Sequence, residues 1–594
     1  MGAAVVSGRD VLRRSIGGQA RRLGLACGLG AFHQVGEALV PVLIGVVVDQ
    51  AVARRDGGLL VLWLGVLGVV YVVLSWSFRL GARIGERAAE KTGHELRIAL
   101  LRRVLDPRGG AEADRLPGEL ANVATEDAKR VGAVSMAVMS GIWATVGIVV
   151  SAVALLVMSV PLGLIVLIGA PALLWCGHLL SKPLERRSET EQEKAAHASG
   201  VAADLVAGLR VLKGIGAQEA AVERYRRTSR ASLAATLRAA RAESWQTGLV
   251  LALTGGFIAL IALVGGRLAL DGELTLGQLV SAVGLALFLL GPLEVFAWVN
   301  TELAQGRASA ARIAAVFAAE PAVVGGDSPL PSPLRGGLRL RGVRLEGLDG
   351  VDLDVPAGQL TGIAVTDPAD ARALLRCLGR EADPEAGQVE LDGVALASLA
   401  PEELRRAVLV AAHDAALFEG TLGANIVTSA AGSDLTSATS PDRASLPAGH
   451  EPGADATPAT ALDAETVRAM AASRADEVAR SLPYGEATDV GEGGRSLSGG
   501  QRQRVLLARA LRAGRPTLVV HDPTTAVDAV TEARIAEGIR DFRQGCTTVL
   551  VTNSPTLLAV TDRVILLDAG KVGAQGTHAE LVRSDDVYRT AVLA

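Results

Sequence analysis

The sequence predicts a polytopic α-helical membrane domain followed by a mainly parallel α/β domain. Three observations carry that prediction. Up to about residue 300 the apolar residues gather in six long blocks. From residue 337 onward they come in short β-branched runs separated by helical patterns. Between the two lies "ARIAAVFAAEPAVVGGDSPLPSPLRGG", whose Pro/Gly/Ser-rich end reads as a linker.

A helix crosses the ~30 Å hydrocarbon core with about 20 mostly apolar residues. The blocks 23–48, 59–78, 132–158, 161–180, 247–270 and 276–299 all meet that length, so six spans are expected. Blocks one and two, three and four, and five and six are joined by short loops. The connections 79–131 and 181–246 are long and rich in Arg and Glu, as in "RIGERAAEKTGHELRIALLRRVL". They read as helices running on beyond the bilayer, with Arg and Lys marking the cytoplasmic side. Six spans then put both termini and the second domain in the cytoplasm. Within the first block, His33, Gln34 and Glu37 stand at i, i+1 and i+4, so His33 and Glu37 share a helix face. Ionisable groups at membrane depth face a cavity or a partner. The pair reads either as a substrate-cavity or proton-linked site, or as an inter-helix hydrogen bond.

Composition narrows the class. Apolar residues make up 49%, and the net charge of −4 gives no reason to expect nucleic acid as a partner. Cys27, Cys176, Cys377 and Cys546 lie far apart, with no metal-ligand spacing and no disulfide framework, and read as packing thiols. The N-terminus is basic but has no short apolar region with a small-residue cleavage site, so a removable signal peptide is not expected.

The second domain alternates "QLTGIAV", "QVELDG", "AVLVAA", "PTLVVHD", "TTVLVTN" and "RVILLD" with helical patterns, the signature of a parallel α/β unit. Its decisive stretch is "SLSGGQRQRVLLARALRAGRPTLVVHDPTTAVD" (496–528). Ser498 stands at a helix N-terminus, and Gly499 and Gly500 leave backbone N–H groups uncovered, an arrangement that suits an anion. Leu497-Ser498-Gly499-Gly500-Gln501 resembles the signature motif of ATP-binding cassette (ABC) ATPases, and Thr525-Ala526-Val527-Asp528 resembles their D-loop. With six spans ahead of it, the chain resembles an ABC exporter half-transporter over its full length. That resemblance implies the ABC exporter fold and a P-loop-type cassette. It also implies two cassettes that sandwich ATP and Mg²⁺, each nucleotide lying between one chain's phosphate loop and the other chain's signature. The expected organisation is a cytoplasmic segment 1–20, the membrane domain 21–310, a linker 311–336 and the cassette 337–594. A Ser/Ala/Pro/Gly-rich insert, 429–461, is expected to be disordered.

The remaining motifs depart from the family's pattern. A phosphate loop needs G-x-x-x-x-G-K-[ST], with N–H groups around the phosphates, a Lys on their oxygens and a hydroxyl on Mg²⁺. In register, Thr366 and Ala371 replace the glycines, Arg372 the lysine and Ala373 the hydroxyl residue. Pro368 removes a donor, and Asp367 and Asp370 are expected to place carboxylates where phosphates would lie. A like-charge contact at ~4 Å costs roughly 4 kcal/mol at intermediate dielectric. His521 takes the place of the Mg²⁺-side Asp, Asp522 that of the general base, His413 that of the Q-loop Gln and Asn553 that of the switch histidine. "LRGVRLEGLDG" offers no aromatic to stack on adenine. No metal ligand and no catalytic residue is therefore expected in this chain's own site, which should be empty or weakly binding.

One composite site has lost its partners while the signature and Asp528, which serve the other, are kept. The resemblance then implies a degenerate half of a heterodimeric exporter in a bacterial plasma membrane. It would move an unidentified substrate and be surrounded by lipid, with ATP and Mg²⁺ at a competent partner's loop. The alternatives are a non-hydrolysing scaffold or regulatory subunit, and an exporter-fold importer of the siderophore kind.

Overall fold

The computed structural model describes residues 7–113, 115–413, 415–427 and 462–593; the insert expected at 429–461 lies outside them. The chain forms two compact units, Met1–Arg103 with Asp114–Ala318, and Val104–Ala113 with Ala319–Ala594. The short segment Val104–Ala113 thus packs with the second unit, where Val323 N–H donates to the Arg108 carbonyl at 3.2 Å.

The first unit is helical: α1 (Gly8–Gly18), α2 (Ala20–Val47), α3 (Gly57–Val104), α4 (Pro117–Asn122), α5 (Ala128–Met158), α6 (Val160–Ala207), α7 (Leu209–Gly214), α8 (Gln218–Leu270), α9 (Leu276–Phe288) and α10 (Leu290–Ala318). Five described segments are long and apolar enough to cross a membrane, and α6 adds the shorter apolar stretch Val160–Leu173, which is compatible with six spans. The helices α3, α6 and α8 run far past their apolar blocks, as the Arg/Glu-rich connections require. Helix α10 continues beyond residue 310 because Ala310, Ile313, Ala314 and Val316 keep an apolar stripe at helical spacing, all buried. Asp127, 1% exposed, ties α10 to the chain ahead of α5: Ser309 Oγ donates to it at 2.8 Å and Arg312 Nε at 2.7 Å. A buried carboxylate needs such partners.

The second unit contains β1 (Leu338–Leu345), β2 (Leu348–Val355), β3 (Leu360–Val365), α11 (Pro368–Leu378), β4 (Ala386–Leu391), β5 (Val394–Ala395), α12 (Pro401–Ala407), β6 (Val408–Ala411), β7 (Gly420–Thr421) and α13 (Leu422–Val427). Then follow α14 (Ala464–Ser473), α15 (Ala475–Ser481), β8 (Asp489–Val490), α16 (Gly499–Arg512), β9 (Thr517–His521), α17 (Ala529–Phe542), β10 (Thr547–Val551), α18 (Pro555–Ala559), β11 (Arg563–Asp568), β12 (Lys571–Gly576), α19 (His578–Ser584) and α20 (Asp586–Leu593). The central sheet has the order β12-β11-β3-β10-β9-β6, with β12 antiparallel and the rest parallel. A smaller antiparallel sheet, β2-β1-β4-β5, packs on one face through Leu340, Val351, Ile363, Leu374 and Val549. On the other face α14, α16 and α17 bury Ala469, Leu511, Ile535 and Ile539 against Leu518 and Leu550. β3, β9 and β10 are buried almost throughout, which is why they read as continuous apolar runs.

Candidate nucleotide site

Parallel strands order the site. Ligands of open α/β sheets bind at the carboxyl ends of the strands. Here β3 ends before Thr366, β6 before His413, β9 at His521 and β10 before Asn553. The sheet order therefore brings the four sequence-singled motifs to one edge.

At the phosphate-loop position the connection from β3 to α11 is only Thr366 and Asp367, and the helix begins at Pro368. The stretch that aligns with the rest of a glycine loop is thus already helical. Pro368 favours this start, because its missing N–H is no loss in the first turn. Asp367 is the N-cap, its Oδ1 accepting from Ala369 N–H at 2.8 Å. A carboxylate oxygen so placed lies against the positive end of the helix. Thr366 Oγ1 donates to Asp568 Oδ1 at 2.8 Å, and its N–H to the Leu567 carbonyl. Ala371 and Ala373 are buried in the core between the sheets, while Arg372 is exposed.

Asp370 differs from the expectation that it faces the phosphates. It is 3% exposed and its Oδ2 accepts from Gly570 N–H at 2.8 Å, in the β11–β12 turn. The reason is the early helix start: with α11 beginning at Pro368, position 370 falls on the inward face.

The other replaced positions are also engaged. His413 and His521 face each other, Nδ1 to Nδ1 at 3.2 Å, with rings edge-on and centroids 4.9 Å apart. Asp522 adopts φ +42° and leans back toward His521, Oδ2 3.6 Å from Nε2. Asn553 uses both ends of its amide on one residue: Oδ1 accepts from Val365 N–H at 2.9 Å and Nδ2 donates to the Val365 carbonyl at 2.8 Å.

The signature is preformed. Ser498 is the N-cap of α16 in a capping box: its Oγ accepts from Gln501 N–H, and Gln501 Oε1 accepts from Ser498 N–H at 2.8 Å. That leaves the Ser498 hydroxyl hydrogen available to a ligand. Leu497 is buried beneath the turn among Leu417, Val490 and Val505. Asp528 caps α17 by accepting from Thr531 N–H at 3.0 Å, and this bond to Thr531 holds its carboxyl below the usual carboxylate range. Two residues that sequence reasoning missed join these loops. Gln503 Nε2 donates to Thr525 Oγ1 at 2.6 Å while its Oε1 accepts from Ala526 N–H at 2.8 Å. Glu532 accepts from Thr524 Oγ1 at 2.6 Å and Ser554 Oγ at 2.9 Å. Gln503 stood within the quoted motif. Glu532 follows the D-loop by one helical turn, and no spacing rule marks either residue.

Two family models match the chain, one in each unit. Residues 23–293 match the ABC transporter transmembrane region family, and residues 348–526 match the ABC transporter family. One chain thus carries a match to an ABC transporter transmembrane region ahead of a match to an ABC transporter cassette. It is 31% identical over 581 residues to a multidrug efflux ATP-binding/permease protein of Mycobacterium tuberculosis (strain ATCC 25618 / H37Rv), covering 96% of this chain but 46% of that protein. The chain therefore spans about half the length of that relative. It is 26% identical over 510 residues to an ATP-dependent lipid A-core flippase of Xylella fastidiosa (strain 9a5c), covering 84% of this chain and 82% of the flippase. Among solved structures, a bacterial Atm1-family ABC exporter with ATP bound shares its fold, with a TM-score of 0.72, 22% identity and 98% of both chains covered.

Proposed function

We propose that this chain is one half of a heterodimeric exporter of a bacterial plasma membrane, and that it lends its signature to ATP held by a competent partner. The observation that carries the reading is the contrast between two places in one cassette. At residues 498–501 the capping box leaves the Gly499 and Gly500 N–H groups and the Ser498 hydroxyl free to meet a terminal phosphate. At residues 366–373 a two-residue connection, an Asp367 cap and buried Ala371 and Ala373 stand where a phosphate cradle belongs. ATP and Mg²⁺ fit these residues poorly: there is no lysine, no metal-side hydroxyl or Asp, and a carboxylate on the helix end. No chemical step is assigned to this chain's own site.

In the proposed role Ser498, Gly499, Gly500 and Gln501 bind and orient the partner's nucleotide. Asp528, in the D-loop whose Thr525 and Ala526 bond Gln503 of α16, links the two sites. A mechanism of this kind is positioning plus electrostatic stabilisation of transferring charge. The transported substrate would be drug-like or lipid-like, as the names of the two relatives suggest.

The chain purified alone should show no ATPase activity, whereas co-expression with a competent half-transporter should give turnover. Ser498→Ala in this chain should then reduce that turnover by about tenfold or more. Ordinary hydrolysis by the chain alone would overturn the reading.

A further inference from the structure

We infer that the membrane unit binds an organic cation with an aromatic or apolar body. This names the substrate class of the exporter proposed above and rests on that reading for the act of transport, though not for binding.

A cavity of about 570 Å³ opens among α2, α3, α5, α9 and α10, within the range of cavities that enclose drug-sized ligands. Its lining includes Phe78, Trp143, Phe288 and Trp298. The whole chain holds only 8 Phe, 4 Tyr and 6 Trp, so more than a fifth of its aromatic side chains converge on one wall. Part of that wall is fixed: the Trp143 indole N–H donates to the Ala26 carbonyl at 3.2 Å, and Phe78 meets the Trp143 ring edge-on at 6.0 Å.

The polar lining sets the sign. Glu37 and Glu294 both face the cavity, and the lining contains no lysine, arginine or histidine. Glu37 has a partner outside the lining, His33, whose Nε2 lies 3.3 Å from its Oε2. The other imidazole nitrogen, Nδ1, meets the Leu74 carbonyl at 3.1 Å, so His33 also serves as an inter-helix bond. Glu294 makes no ion pair among the described residues. An ionisable group inside a membrane segment faces a cavity or a partner, and the exposed Glu294 side chain lines this cavity. Gln34 also lines the cavity, but its amide Oε1 is buried toward Gly147 and has no hydrogen-bond partner among the described residues. Carboxylates and ring faces together suit a cation, and they disfavour an anion of equal size.

The experiment needs neither nucleotide nor partner. The full chain in lipid nanodiscs is dialysed against tetraphenylphosphonium or tetraphenylborate, ions of like shape and opposite charge, with empty nanodiscs subtracting partition into lipid. Saturable binding of the phosphonium alone is expected, weakened about tenfold by Glu294→Gln. Equal binding of the two ions, or no saturable phosphonium binding above the empty nanodiscs, overturns the inference. Should Glu294→Gln fail to fold, the wild-type comparison of the two ions still decides. A negative result leaves the ATPase reading standing, and an active lone chain would leave the cavity's preference standing.

Discussion

Asn553 clasps Val365 with both ends of its side-chain amide, at 2.9 and 2.8 Å, and so carries the β3–β10 pairing past the end of β10 to the last residue of β3. Val365 is 8% exposed. Asn553→Ala would leave a nearly buried N–H and C=O unpaired, a loss of about 1–3 kcal/mol. The thermal midpoint of the cassette transition should fall by roughly 2–4 °C per kcal/mol. Asn553→His, which restores the family's residue, cannot make the paired bonds. It should destabilise the cassette without producing ATPase activity. Scanning fluorimetry of the full chain with each variant checks the first expectation and phosphate release the second.

Gly500 is where signature and D-loop press closest. A Cβ there would meet the Ala526 carbonyl oxygen at 2.5 Å, and that backbone is already held by Gln503. At Gly499 a Cβ would meet only the Ala526 Cβ, at 3.2 Å. In the co-expressed pair, Gly500→Ala should cut turnover about tenfold or more, and Gly499→Ala should cost less. A larger loss at Gly499 than at Gly500 would sink this account of the motif.

The start of α14 has a pH signature. Asp463 is its N-cap, accepting from Thr466 N–H at 2.7 Å and paired with Arg512 Nη2 at 2.5 Å. The bonds to Thr466, with Arg512 behind them, pull its carboxyl from 3.8 down to about 2. A depressed value favours the folded chain above the ordinary carboxylate range, and that contribution fades as pH falls from about 4 toward 2. The midpoint difference between wild type and Asp463→Ala should be flat above pH 5 and shrink below pH 4. A difference that grows on acidification would contradict the assignment.

Much of this was legible because the signals are periodic or contiguous. Six apolar blocks, short β-branched runs and an unbroken Leu497–Gln501 need no tertiary information. The strand ends carrying His413, His521 and Asn553 followed from the same runs. What escaped depends on where elements start. The two-residue connection before Pro368 set which way Asp370 turns, and a register aligned to a glycine loop could not see that the helix begins early. Val104–Ala113 reads as part of a long helical connection, yet it packs with the second unit through backbone bonds that its sequence does not mark. The acidic, aromatic wall around Glu294 draws single residues from distant helices, and no local pattern gathers them.

Asp370 gives the sharpest test of whether residues 366–373 now serve structure. Its carboxylate occupies a niche between two turns: Gly570 N–H donates to Oδ2, and a Cβ on Gly347 would lie 2.5 Å from Oδ1. The same turns are tied directly, Asp349 N–H donating to the Gly570 carbonyl at 2.9 Å. A side chain in such a place holds two strand pairs in register against α11. Asp370→Ala removes the acceptor and leaves the Gly570 N–H without its partner, which should cost about 1–3 kcal/mol. Asp370→Asn keeps an oxygen for that N–H and should recover part of the loss. A carboxylate held only in opposition to phosphate would behave otherwise: its removal would be neutral for stability and would raise nucleotide affinity. Thermal midpoints of the two variants, measured with and without Mg-ATP, separate the cases. A midpoint unchanged by Asp370→Ala but raised by nucleotide would place the carboxylate back in the phosphate site.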